Sequence, residues 1–156
     1  MRRWAAPAAV AAAAAAGILV WLLLPPGRHT LARPGFRLTY PGGWRVAAGP
    51  ALVRPGARLT IGRDEPLRKL DGARLRLQVE HDFSERLADF RLLSAGTEQT
   101  PAGSIFVYTY LAPGSRAVHT VALVPAGDRS YDLDAVAPAA LGHEIDGIIR
   151  SFRPVR

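Results

Sequence analysis

The pair His143-Glu144 opens like a zinc-protease helix motif, which needs a second histidine four residues after the first to complete the ligand pair on one face. That position is Gly147, so the pair is missing and this route to hydrolysis is excluded. His81, Asp82 and Glu85 lie close enough in sequence to ligate a divalent metal. The same residues equally make the solvated, acidic first turn of a helix, where negative charge meets the positive end of the dipole; that is the reading adopted. Asp132 and Asp134 stand two apart in an alternating stretch and share a strand face. Paired carboxylates perform acid–base work when one of them is desolvated, and a sheet face meeting water explains them as well. Neither a glycine-rich phosphate loop nor a Gly-x-Ser-x-Gly elbow is present. Cysteine is absent, which removes thiol nucleophiles, thiolate metal sites and disulfides. The sequence thus predicts no catalytic residue, no cofactor-binding residue and no metal ligand, and a protein that is not an enzyme.

Binding is the remaining class. The 20 basic residues exceed the 13 acidic ones for a net charge of +7, and all but one of the basic residues are arginine. This balance favours anionic surfaces such as lipid head groups. The densest basic run, RDEPLRKLDGARLR at residues 63–76, also carries Asp64, Glu65 and Asp71 and has no aromatic residue for base stacking. No nucleic-acid partner is expected. Phe106, Tyr108 and Tyr110 alternate onto one strand face, an aromatic strip suited to binding if exposed. Trp44 reads as a core anchor; the alternative is a ligand pocket between sheet and helix near Trp44, Tyr108 and Tyr110.

These residues must be positioned by a short list of elements. Residues 4–24 carry no charge and, as a helix, would span roughly 31 Å, close to a bilayer's hydrocarbon thickness. Arg2 and Arg3 precede this segment and Pro25-Pro26-Gly27 ends it. The one tolerable small-residue cleavage site, Thr30-Leu31-Ala32, is poor, so residues 1–24 are expected to form an uncleaved signal anchor or transmembrane helix, with its lipid contacts; a cleaved signal peptide or a soluble apolar helix is the alternative. Basic residues nearly balance across the segment, and the three-residue tail ahead of it is what favours a domain outside the cytoplasm on a single-pass membrane protein. Residues 25–35 read as a linker and residues 36–156 as the domain.

Within the domain, apolar spacing of two dominates. FRLTYPGGWRV at residues 36–46 reads as strand, corner and strand, with Pro41-Gly42 at the centre of a type II turn. Strands are predicted at 57–61, 74–81, 104–111, 117–124 and 130–136, the last three joined by turns short enough to require antiparallel neighbours. Ser84 is expected to cap a helix over 85–93, followed by a polar loop. Leu141, Ile145, Ile148, Ile149 and Phe152 make the apolar stripe of a final helix starting near Pro138. The expected class is α+β: an antiparallel sheet flanked by helices.

The opening FRLTYPGGW, the later LVPAGDRSYDL and the closing IIRSF resemble the PsbP-like superfamily over residues 36–153. The resemblance implies an α/β/α sandwich with a central antiparallel sheet. That superfamily includes extrinsic subunits of the photosynthetic oxygen-evolving complex, a nuclear Ran-binding protein and many exported or membrane-anchored bacterial domains. It implies a non-enzymatic accessory that docks on a larger assembly, here another envelope protein, and supplies no catalytic residue to carry across. A small-ligand or lipid-binding module of the cell envelope is the alternative.

Overall fold

The turn after Tyr40 decides how the chain is laid out. In the computed structural model, which describes residues 27–64, 72–86 and 90–155, the Trp44 N–H donates to the Pro41 carbonyl and Gly43 takes φ of +90°. The corner is therefore one residue later than the sequence predicts, with Gly42 and Gly43 at its centre, because Pro41 is still the last paired residue of the preceding strand. The strands on either side of this corner join different sheets. The first, β2 (Phe36–Pro41), lies between β1 (Arg28–Arg33) and β10 (Arg153–Pro154) in a three-stranded sheet. The second, β3 (Arg45–Val46), starts the main sheet.

That main sheet has seven antiparallel strands in the order β3-β4-β5-β9-β8-β7-β6. Its members are β4 (Ala51–Arg54), β5 (Ala57–Asp64), β6 (Arg91–Thr100), β7 (Gly103–Leu111), β8 (Ala117–Ala126) and β9 (Arg129–Pro138). The three long strands expected from the sequence are β7, β8 and β9, hydrogen-bonded in succession. Residues 28–33, placed by sequence in the 25–35 linker, are strand β1, paired residue for residue with β2.

Among the described residues, two helices flank the sheet. α1 (Gly72–Arg86) corrects two expectations: residues 74–81 are helical rather than a strand, and the helix set at 85–93 begins earlier and, among the described residues, spans Gly72–Arg86. The alternation of Leu75, Leu77 and Val79 misled, since only Leu75 and Val79, one helical turn apart, are partly covered while Leu77 is 67% exposed. Arg76 and Glu80 pair at i,i+4 on its solvent side. Residues 91–93 belong to β6, whose register shifts between Leu92 and Ser94 at a bulge.

α2 (Gly142–Ser151) follows a 3-10 turn over Ala139–Leu141, and Pro138 ends β9 instead of starting the helix. Ile145, Ile148 and Ile149 are buried, and each such side chain contributes about 1.5–3 kcal/mol on leaving water. They pack with Leu59, Leu133 and Ala135 of the sheet and Leu38 of β2, forming the core with the aromatic group Phe36, Tyr131 and Phe152. Tyr131 Oη donates to the Gly35 carbonyl at the β1–β2 turn (2.9 Å), fastening the small sheet to the large one.

α1 lies on the opposite face, where a Cβ at Gly72 would meet the Thr97 side chain. The fold is thus mostly antiparallel sheet between two short helices. Residues 1–24 lie outside the described residues; among those described, no helix is long and apolar enough to cross a membrane.

Candidate functional site

Alternation along β7 sends its side chains to two different environments. Ile105 and Val107 join the α2 core, whereas Phe106, Tyr108 and Tyr110 point to the α1 side. Trp44 belongs to the α2 side, so the sheet separates it from the two tyrosines and the pocket expected among the three does not form.

On the α1 side the rings make a run. Tyr108 and Tyr110 stack at 6.2 Å between centroids, Tyr110 stacks on His119 at 4.7 Å, and Phe90 lies 5.6 Å from Tyr110. The strip is half-buried, not open. Asp132 and Asp134 share this face through pairing with Leu123 and Val121. Sequence had singled out both pairs, and the structure brings them together. Burial, then the Asp132 carboxylate, pushes the Tyr108 phenol up to about 12. Tyr110 is raised by burial and then by Asp134 and Asp132. These shifts favour neutral phenols that donate hydrogen bonds and make poor bases.

A measurable consequence follows from the sign. A folded-state pKa above the ordinary 10.0 stabilises the fold below pH 10, and that contribution is lost as pH climbs from 10 to about 12. Tyrosinate absorbance should show a component titrating late, and Tyr108→Phe should remove it and flatten the alkaline stability limb. A Tyr108→Phe protein with an unchanged titration would place the shifted phenol elsewhere.

The other sequence candidates are dispersed. His81 Nε2 stands 3.3 Å from Glu85 Oε2 on α1, both largely exposed, and among the described residues no three His, Cys, Asp or Glu side chains gather around a metal-sized space. His143 lines a small hollow of about 210 Å³, while its neighbour Glu144 accepts from Trp44 Nε1 (3.0 Å) and from Arg54 Nη1 (2.6 Å).

The larger feature was not anticipated. Between β6 and α2 runs a groove of about 470 Å³. Its floor comes from β7, β8 and β9, and it exists because small residues stand where bulky ones would fill the space: Gly96 on β6, Ala135 and Ala137 on β9, Gly142 on α2. A Cβ at Gly96 or Gly142 would meet nothing within 4 Å. The Arg150 guanidinium ties the two walls, donating to Glu98 on β6 (2.8 Å) and to Asp146 on α2 (3.0 Å). Ser94 and Thr109 hydroxyls bond at 2.7 Å across the floor.

One wall of this groove is also an edge. β6 has ten residues and pairs only with β7 among the described residues. The sequence placed 94–100 in a polar loop, since Gly96 and Glu98 have low strand propensity and no one-sided apolar alternation marks the stretch. The usable signal was its mirror in β7: Ser94, Thr97 and Gln99 lie opposite Thr109, Phe106 and Ser104 across a turn at Pro101-Ala102.

No family model matches the chain, and no curated protein matches it either. Solved structures do. The solution structure of cyanobacterial PsbP (CyanoP) from Synechocystis sp. PCC 6803 superimposes with a TM-score of 0.54, covering 85% of this chain and 94% of that one at 13% sequence identity. That likeness is one of fold, and with it the chain is established as having the PsbP-like fold that its three motifs resemble.

Proposed function

We propose that the chain is a non-catalytic, membrane-anchored docking module that accepts an extended segment of another envelope protein along β6. The observation that carries this reading is a ten-residue edge strand, partnered on one side only among the described residues, lying beside a groove of about 470 Å³. An edge strand offers main-chain donors and acceptors to an added strand, and an adjacent groove takes alternate side chains of that strand. The PsbP-like fold supports an accessory role in general terms. The uncharged segment 4–24 supports anchoring.

The test is photocrosslinking from β6 in its native membrane. The full chain carrying a photoreactive residue at Glu98 should give one stoichiometric protein adduct after mild detergent extraction. The same residue at Arg45, on the opposite edge of the sheet, should give none. Gly96→Leu, which fills the groove without a clash at its Cβ, should suppress the adduct while preserving the melting temperature. Equal adducts from both edges, or none from β6, would remove the docking reading. The groove's size also falls in the range of small-ligand sites, which favours a second reading as an envelope ligand-binding module. A small molecule co-purifying with the wild type and absent from Gly96→Leu would move the assignment there.

A further inference from the structure

The three-stranded sheet has an outer face on which like charges are set together. Arg37 of β2 stands directly opposite Arg153 of β10, and Arg28 lies further along the same face beyond the Thr30–Thr39 pair. These residues line a shallow hollow of about 530 Å³ together with Arg150. Like charges directly opposed across strands repel, and the fold provides little compensation. Arg150 is already engaged by Glu98 and Asp146. Arg153 Nη1 donates to the Arg150 and Phe152 carbonyls, which orient the guanidinium without neutralising it. Arg28 and Arg37 form no ion pair with the described residues.

The position of the hollow in the chain indicates what neutralises it. β1 begins at Arg28, four residues after the last residue of the uncharged apolar segment, Leu24. Four residues reach at most about 14 Å when fully extended, comparable with the screening length of about 8–10 Å in physiological salt. Guanidinium groups also present paired donors that match phosphate oxygens.

We propose that the face formed by Arg28, Arg37 and Arg153 seats against the anionic phosphate head groups of the bilayer that holds residues 4–24. This rests on the anchor reading given above. The contact holds the small sheet towards the membrane and fixes the orientation in which β6 is presented.

Because the chain has no cysteine, Thr30→Cys introduces a single thiol on this face for an environment-sensitive fluorophore. Full-length protein is placed in nanodiscs of phosphatidylcholine, alone or mixed with phosphatidylglycerol. The expected result is a spectral shift specific to the phosphatidylglycerol discs. It should be reversed by high salt, absent when the label sits at Ser115 instead, and lost in Arg37→Gln/Arg153→Gln with an unchanged melting temperature. If that double variant fails to fold, Arg28→Gln is read in its place and should reduce the shift.

A shift equal in both disc types, or one that survives these substitutions, overturns the proposal. So does the same shift produced by inorganic phosphate on detergent-solubilised protein, which would make the hollow an ion site. Retention of the full chain on vesicles after an alkaline carbonate wash tests the anchor separately. Should the chain wash off, salt-reversible flotation with phosphatidylglycerol vesicles still supports the head-group contact, and no flotation overturns it. Loss of the two arginines should weaken that flotation on the order of 20-fold, since each basic residue near an anionic surface contributes about fivefold.

Discussion

Phe152→Ala is expected to cost about 3–5 kcal/mol, the range for removing a large aromatic side chain from a core. Phe152 is 1% exposed and lies between two other rings, stacked on Phe36 at 5.3 Å and tilted against Tyr131 at 5.1 Å. It is also the residue at which α2 gives way to extended backbone, its N–H donating to the Ile149 carbonyl. Truncation therefore opens a cavity where helix, small sheet and large sheet meet. Denaturant unfolding should show the midpoint falling with little change in slope. Phe152→Leu, which refills most of the volume, should recover a large part of the loss. A cost below about 1 kcal/mol would mean that the three rings do not form a common core.

Trp44→Ala should be of similar size, about 3–5 kcal/mol, for a different combination of reasons. The indole is 4% exposed, its Nε1 donates to Glu144, and the Arg54 guanidinium lies 5.9 Å above its ring. Trp44→Phe separates the contributions, keeping most of the packing while removing the donor at a cost of about 1–2 kcal/mol. The hydrogen bond from Trp44 is the largest influence holding the Glu144 carboxyl below its ordinary 4.5; burial opposes it and Arg54 assists.

A depressed folded-state pKa stabilises the protein above pH 4.5, and that contribution disappears as pH falls through the lowered value. The wild type should therefore lose stability more steeply in acid than Trp44→Phe does. The difference should be modest, because solvent screens the partly exposed Glu144–Arg54 pair. Parallel acid limbs would show that the indole N–H does not set the carboxylate.

The strands that sequence could find are those whose alternation coincides with burial on one face. Leu133, Ala135 and Ala137 face α2 while Asp132 and Asp134 face away, so β9 was legible from its pattern alone. The α2 stripe was legible for the same reason at helical spacing, with Ile145, Ile148 and Ile149 all buried. α1 was misread because its apolar residues satisfy both periods and only tertiary contact chooses between them. Its i,i+4 pairs Arg76–Glu80 and His81–Glu85 were the discriminating signal. β1 and β6 are edge strands with few apolar residues, so no one-sided pattern marks them. The groove was out of reach because it is made by absent side chains, at Gly96, Ala135 and Ala137, whose spatial convergence depends on strand order.

The placement of β1 has a mechanical consequence. Any pull transmitted along the chain from before Gly27 enters the folded part at Arg28, the open end of an antiparallel pair whose other end is the turn at Gly35. Force applied there across the strands would separate the ladder one rung at a time, from Arg28–Pro41 towards Arg33–Phe36. β2, by contrast, is bolted from several directions: Ser151 Oγ bonds the Thr39 backbone, Tyr131 bonds Gly35, and β10 closes its far side. Loss of the β1 pairing would give up the burial of Leu31 and add six residues to the chain ahead of β2. The first strand is thus held by one neighbour alone among the described residues, while β2 is held from both sides.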